Sequence, residues 1–181
     1  MPFVMLFCLW HKKHGMFALH SASLQYHGMA WLFSGASGTG KSTHTNLWKK
    51  QYGTPVLNGD LNLCYIGQDG VFCYGMPWCG TSGIYTKKEY PVGGVVLLRQ
   101  DTENKIECLS LDQQQLLVSQ RLISPSWTEE LFLKNLAFAG RAAKQIPIFR
   151  LACNMEDAAA VAAKTYIDKN CLPLSTTYSS Q

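Results

Sequence analysis

The sequence predicts an α/β fold, a mixed β-sheet with a strand-rich amino-terminal half and a helical carboxyl-terminal part. Three observations predict it. Residues 29–33 form an apolar run that enters a glycine-rich turn and leaves it through a helix-compatible stretch at 41–50. Before and after that unit, short apolar runs alternate with Gly, Pro, Asn and Asp clusters, the pattern of strands joined by tight turns. From Ser110 onward, helix-start signals of the form Ser-x-x-Gln/Glu take over. The 181 residues are expected to form one domain over 1–173, with the Ser/Thr-rich stretch 174–181 as a frayed tail.

Taken in order, residues 1–10 are apolar, and the basic residues Lys12 and Lys13 follow the run instead of preceding it, which argues against a secretory signal. The run is also short of the roughly twenty residues needed to cross a bilayer. It is expected to be a first strand, followed by a polar turn at 11–15. A second strand at 16–25 and a turn at 26–28 lead back into 29–33. After the helix, Val56 and Leu57 deliver Asn58-Gly59-Asp60. A strand reached through one crossover helix is expected to run parallel to the strand before the glycine-rich turn, with its carboxyl end on the same sheet edge.

Residues 63–66 and 71–74 flank Gly67-Gln68-Asp69-Gly70 as a hairpin, 75–83 reads as a breaker-rich loop, and 93–98 as a buried strand. Capping boxes are expected at Ser110-x-x-Gln113 and Ser126-x-x-Glu129, and a looser one at Asn154-x-x-Asp157. An apolar helix over 116–123 carries Arg121, and 147–152 is a strand candidate.

Sixteen Lys and Arg against twelve Asp and Glu give a net charge of +4. The cations are scattered, without the basic stripe that nucleic-acid binding requires, so no nucleic-acid partner is expected, and no membrane partner either. Seven cysteines contain no C-x-x-C pair, and the odd count leaves one outside any pairing, which suits a reducing cytoplasm. Cys79, in a glycine-rich turn, reads as a free small hydrophobe.

The glycine-rich turn is Gly35-Ala36-Ser37-Gly38-Thr39-Gly40-Lys41-Ser42-Thr43. Its spacing, G-x-x-x-x-G-K-[ST] between a strand and a helix, is that of a phosphate-binding loop: backbone N–H groups cradle phosphate, Lys41 reaches the β- and γ-phosphates, and Ser42 ligates Mg²⁺. Asp60, one crossover later, is placed to hold Mg²⁺ or to accept the proton of an incoming hydroxyl, the alternative being a plain turn sequence. His20, on the strand antiparallel to the loop strand, is placed to orient Asp60 or to touch phosphate, a half-buried structural histidine being the equal alternative. Of Lys87, Lys88, Arg99 and Arg121, only Arg121 stands in an apolar context that suggests a purpose. Trp78 and Tyr85 read either as acceptor-groove walls or as core anchors, and 124–127 either as a docking edge or as a helix entry.

Together these residues resemble the HPr kinase and phosphoenolpyruvate carboxykinase group. The resemblance rests, in order, on Leu19-His20-Ser21-Ala22, on Phe33-Ser34 and the loop 35–43, on Asn58-Gly59-Asp60, and on Tyr74-Gly75-Met76-Pro77-Trp78-Cys79-Gly80, over residues 20–117. It implies an ATP- and Mg²⁺-dependent kinase in which the acidic motif supplies base and metal functions. The group commonly carries two aspartates there, whereas Gly59 takes the first position in this chain. The separate amino-terminal domain of true HPr kinases and their carboxyl-terminal signature have no counterpart here, which disfavours HPr as acceptor. Small members of the group resemble accessory kinases of peptide modification, so the implied acceptor is a hydroxyl on a peptide, protein or small metabolite. HPr-kinase relatives form oligomers, and the resemblance extends a homo-oligomer to this chain. The competing expectation is a nucleotide-binding module with little or no transfer.

Overall fold

The computed structural model describes residues 2–172. Its elements run α1 (Pro2–Lys13), β1 (Met16–Tyr26), β2 (Met29–Ser34), α2 (Lys41–Tyr52), β3 (Val56–Asn58), β4 (Leu61–Ile66) and β5 (Val71–Gly75). A 3₁₀ turn at Gly80–Ser82 comes next, then β6 (Glu89–Gln100), β7 (Lys105–Glu107), α3 (Leu111–Ser119), α4 (Glu129–Ala143), β8 (Ile148–Cys153) and α5 (Asp157–Asn170). The result is a mixed α/β fold with a mixed sheet and five α-helices among the described residues.

Two long strands organise the eight. Residues 16–20 of β1 pair with β4, which continues through β5 to the start of β6 as an antiparallel meander. Farther along, β1 pairs with β2 on one edge and β3 on the other, while β6 lies between β2 and β8. The second sheet therefore reads β7-β8-β6-β2-β1-β3, with β2, β6 and β8 parallel. Since β3 is antiparallel to β1, it runs with β2 as expected, but with β1 between them.

Alternation along the strands sends Trp31, Phe33, Val96, Leu98, Phe149 and Leu151 to one face, against Trp48 of α2 and Ala159, Ala160, Ala163 and Ile167 of α5. The intervening residues Ala30, Leu32, Val95, Leu97 and Ile148 face Val118, Leu122, Phe138, Ala139 and Ala142. Strand β2 is thereby buried on both faces, a rigid base for the glycine-rich loop at its carboxyl end.

Several expectations need correction. Residues 2–13 form a helix, not a strand and turn. An apolar run without two-residue alternation leaves its period open. Here His11, Lys12 and Lys13 complement the negative helix end, and the rings of His11 and His14 bond the carbonyls of Phe7 and Trp10. Cys8 is buried against Ala18, Leu61, Leu63 and Met76. The α4 cap is Thr128, whose hydroxyl accepts from Leu131 N, not Ser126. The helix starts late because Ser124 accepts from Ala18 N and Lys12 holds the carbonyls of Pro125 and Leu131.

Helix α3 stops at Ser119 instead of running through 123. The chain turns at Gln120 and Arg121, and Leu122 bridges Leu19 of β1, with His20 N bonding the Arg121 carbonyl and Ile123 N the Ala18 carbonyl. The Ser110–Gln113 box is formed in both directions. At the third box, Asn154 instead accepts from Glu156 N in an Asx turn ahead of α5. Residues 174–181 lie outside the described residues. Among the described residues no helix is long and apolar enough to cross a membrane.

Candidate functional site

The loop from Ser34 to Lys41 owes its shape to its glycines. Gly38 and Gly40 have φ of +78° and +91°, in the region L side chains rarely adopt. A Cβ on Gly35 would stand 3.0 Å from the Leu98 carbonyl and 2.5 Å from Thr39 Oγ1. The loop braces itself: Thr39 Oγ1 donates to the Ala36 carbonyl at 2.6 Å, and Gln100 reaches in from β6 to the Gly38 carbonyl at 3.1 Å. No side chain caps α2, so its first-turn N–H groups keep their hydrogen-bonding capacity for a ligand. Lys41 is buried, and its Nζ donates to the carbonyls of Gly35 and Ala36 at 3.3 and 3.2 Å.

Asp60 reaches the same region from the other edge of β1. Asn58, fully buried at the end of β3, accepts from the backbone N–H groups of Asp60 (2.9 Å) and Leu61 (3.1 Å) and donates to the Met76 carbonyl (2.8 Å). One amide side chain thus fixes the turn that presents the carboxylate. Ser21 N donates to the Asp60 carbonyl at 2.8 Å, which ties that turn to β1.

His20 Nε2 lies 3.0 Å from Asp60 Oδ1. The carboxylate accepts, so the Nε2 tautomer carries the proton. Burial lowers the His20 pKa, the Lys41 ammonium lowers it further, and Asp60 opposes both. The imidazole is therefore neutral near pH 7. Burial also lowers the Lys41 pKa, with Asp60 opposing and Arg121 adding to the fall.

His20, Lys41, Ser42, Thr43 and Asp60 line one cavity of about 300 Å³, with Ser37, Gly38 and Gly40 as its glycine-rich wall. Gly35, Ala36 and Thr39 line a neighbouring cavity of about 410 Å³ together with Arg121 and Arg150. Arg121 thus lines this cavity, but from the turn that ends α3, beside β1, and not from within a helix.

Gly59 has a steric explanation. A Cβ there would stand 1.9 Å from Ser82 Oγ and 2.7 Å from the Cys79 carbonyl, so the 3₁₀ turn fills the space of a first acidic side chain. Trp78 packs edge-on against Phe7 at 4.9 Å as an anchor, whereas Tyr85 is exposed. Sequence reading missed Asn58 as the pin of Asp60, its only signal being an Asn two residues before the acid. It also missed the buried Ser21–Ser23–Asn62 hydrogen bonds that join β1 to β4.

No protein-family model and no curated protein matches the chain. Among solved structures, it is similar to the HPr(Ser) kinase/phosphatase from Coxiella burnetii, with 10% sequence identity, covering 84% of this chain and 97% of that one at a TM-score of 0.44. The functional reading of this chain accordingly comes from its own residues.

Proposed function

We propose that the protein is a Mg-ATP-dependent kinase that transfers the γ-phosphoryl group to a hydroxyl of a peptide, protein or small metabolite. The observation that carries this reading is the common cavity of Lys41, Ser42 and Asp60, with His20 on the carboxylate. Loop N–H groups, the α2 terminus and Lys41 grip the polyphosphate, Lys41 at its β,γ end. The Ser42 hydroxyl and the Asp60 carboxylate are hard oxygen donors, a set that suits Mg²⁺ completed by phosphate oxygens and water. Held there, Mg²⁺ would supply positive charge that offsets the charge of the transferring phosphoryl group.

Asp60 takes the proton of the acceptor hydroxyl as its oxygen bonds the γ-phosphorus. The bond to the β,γ-bridging oxygen breaks, ADP leaves, and the proton passes from Asp60 to solvent. Neutral His20 holds one carboxylate oxygen in place, so that the other faces the hydroxyl and would meet the metal only through water.

Asp60→Asn keeps shape and loses charge. It is expected to lower phosphoryl transfer by about 10²-fold or more, in the range of general-base contributions, while ATP affinity falls far less. Lys41→Ala is expected to abolish both. An Asp60→Asn enzyme as fast as wild type would remove Asp60 from the chemistry. The filled space at Gly59 favours one second reading, a nucleotide-binding module that works with a single carboxylate and does not turn over. Calorimetric ATP binding without label transfer to any acceptor would support that module instead.

A further inference from the structure

The kinase reading leaves the larger cavity, about 410 Å³, without an occupant. Its cations differ in their company. Arg99 pairs with Asp101 and Glu107, and Arg150 pairs with Glu107. The Arg121 guanidinium, half-buried, makes no hydrogen bond or ion pair among the described residues, while its backbone carbonyl is held by His20 N. A partly desolvated guanidinium with no carboxylate of the protein beside it keeps its donors for another anion, because its planar fork matches a carboxylate or phosphate.

Its position tells which ligand it meets. Residues 121 and 122 continue along the edge of β1 that β2 occupies up to Ser34, so Arg121 lies on one side of His20 and Asp60 on the other. The Lys41 ammonium, which on the kinase reading marks the β,γ end of the triphosphate, donates to the Gly35 and Ala36 carbonyls, and these two residues line the larger cavity. That cavity therefore begins where the phosphoryl donor ends. Resting on the kinase reading, we propose that the acceptor is a small alcohol carrying an anionic group, carboxylate or phosphate, which docks on Arg121 in the larger cavity while its hydroxyl faces Asp60. Leu97 and Leu117, on the same side of the sheet, give the cavity an apolar part suited to a short carbon skeleton.

The test is calorimetry on the full chain in two stages, first with Mg²⁺ and a non-hydrolysable ATP analogue, then with glycerate, glycerol 3-phosphate or glycerol titrated into that complex. The expected result is that at least one of the two anionic alcohols binds about tenfold or more tightly than glycerol. Which of them binds tells carboxylate from phosphate. Arg121→Gln is expected to erase the preference while leaving the affinity for the ATP analogue within about twofold, and Arg121→Lys to recover part of it. The Arg121 side chain has no partner among the described residues, so both variants are expected to unfold at the wild-type midpoint. Failure of the wild type to bind the ATP analogue would overturn the kinase reading and the proposal with it. Nucleotide binding without discrimination among the three alcohols, or Arg121→Gln weakening the nucleotide as much as the acceptor, would overturn the acceptor proposal alone.

Discussion

His44, one turn into α2, makes the stability of the loop helix depend on acid in a way that can be measured. Its ring is 2% exposed, lies 4.8 Å from the Phe33 ring, and accepts a hydrogen bond from Trp48 Nε1 at 3.3 Å. Burial pushes its pKa from 6.5 down to about 4. The folded state thus holds the neutral ring, whereas the unfolded chain protonates near 6.5. The stability it contributes is complete above pH 6.5 and is lost progressively as the pH falls to about 4. At about 1.36 kcal/mol per pH unit, that loss is roughly 3 kcal/mol. With a urea m-value of about 2 kcal/mol/M, the unfolding midpoint moves by roughly 1.5 M.

Other groups titrate in the same window, so the measurement is the difference between wild type and His44→Gln, which keeps an acceptor for Trp48 but carries no titrating proton. Urea unfolding followed by tryptophan fluorescence from about pH 7.5 to about pH 4 reads both proteins. The wild type is expected to be the more stable at about pH 7.5 and to lose roughly 3 kcal/mol of that advantage by about pH 4. Parallel curves would mean that the ring is as solvated in the fold as in the unfolded chain, a wild type that gains stability toward low pH would mean that it is charged there, and either would refute the argument.

Three other perturbations test the geometry. Gly59→Asp, which supplies a second carboxylate beside Asp60, is expected to cost about 1–3 kcal/mol and lower Tm by several degrees. Adding Ser82→Gly recovers only part of this, because the Cys79 carbonyl remains 2.7 Å from the new Cβ. Asn58→Ala removes three hydrogen bonds, two of them fully buried and two of them to the turn that carries Asp60. It is expected to destabilise the fold by about 3 kcal/mol in chemical unfolding and to slow transfer more than it weakens ATP binding. A disulfide-exchange reagent is expected to find one fast thiol, Cys108, slower reaction at half-buried Cys79 and Cys171, and the other four only on unfolding. Cys108→Ala removes the fast phase.

The strand–loop–helix unit and the Ser110 box were legible in sequence because each depends on residues within a few positions of one another. The β4–β5 hairpin was legible for the same reason. The α1 helix was not, since a short apolar run fits a buried strand as well as a helix, and the contact of Cys8 with β1 and β4 decides between them. Arg121 was noticed as a cation in an apolar stretch, but its place depends on residues 121–123 leaving the helix to lie along β1. Strand β7 is three residues long and pairs only with β8, where Glu107 meets Arg150 and, one strand farther on, Arg99 of β6, partners distant in the chain. The larger cavity needs β6 and β8 side by side, a pairing between residues far apart in the chain, such as Val95 with Ile148.

Ser21 sits at the midpoint of the site. It pairs with Ser34, the root of the loop, on one edge of β1, and bonds the Asp60 carbonyl on the other. With neighbouring strands about 4.8 Å apart, the roots of the glycine-rich loop and of the Asp60 turn stand about 10 Å from each other, a spacing of two strand widths. On the kinase reading, the span that donor and acceptor together must bridge is therefore a dimension of the sheet itself, set by its strand spacing.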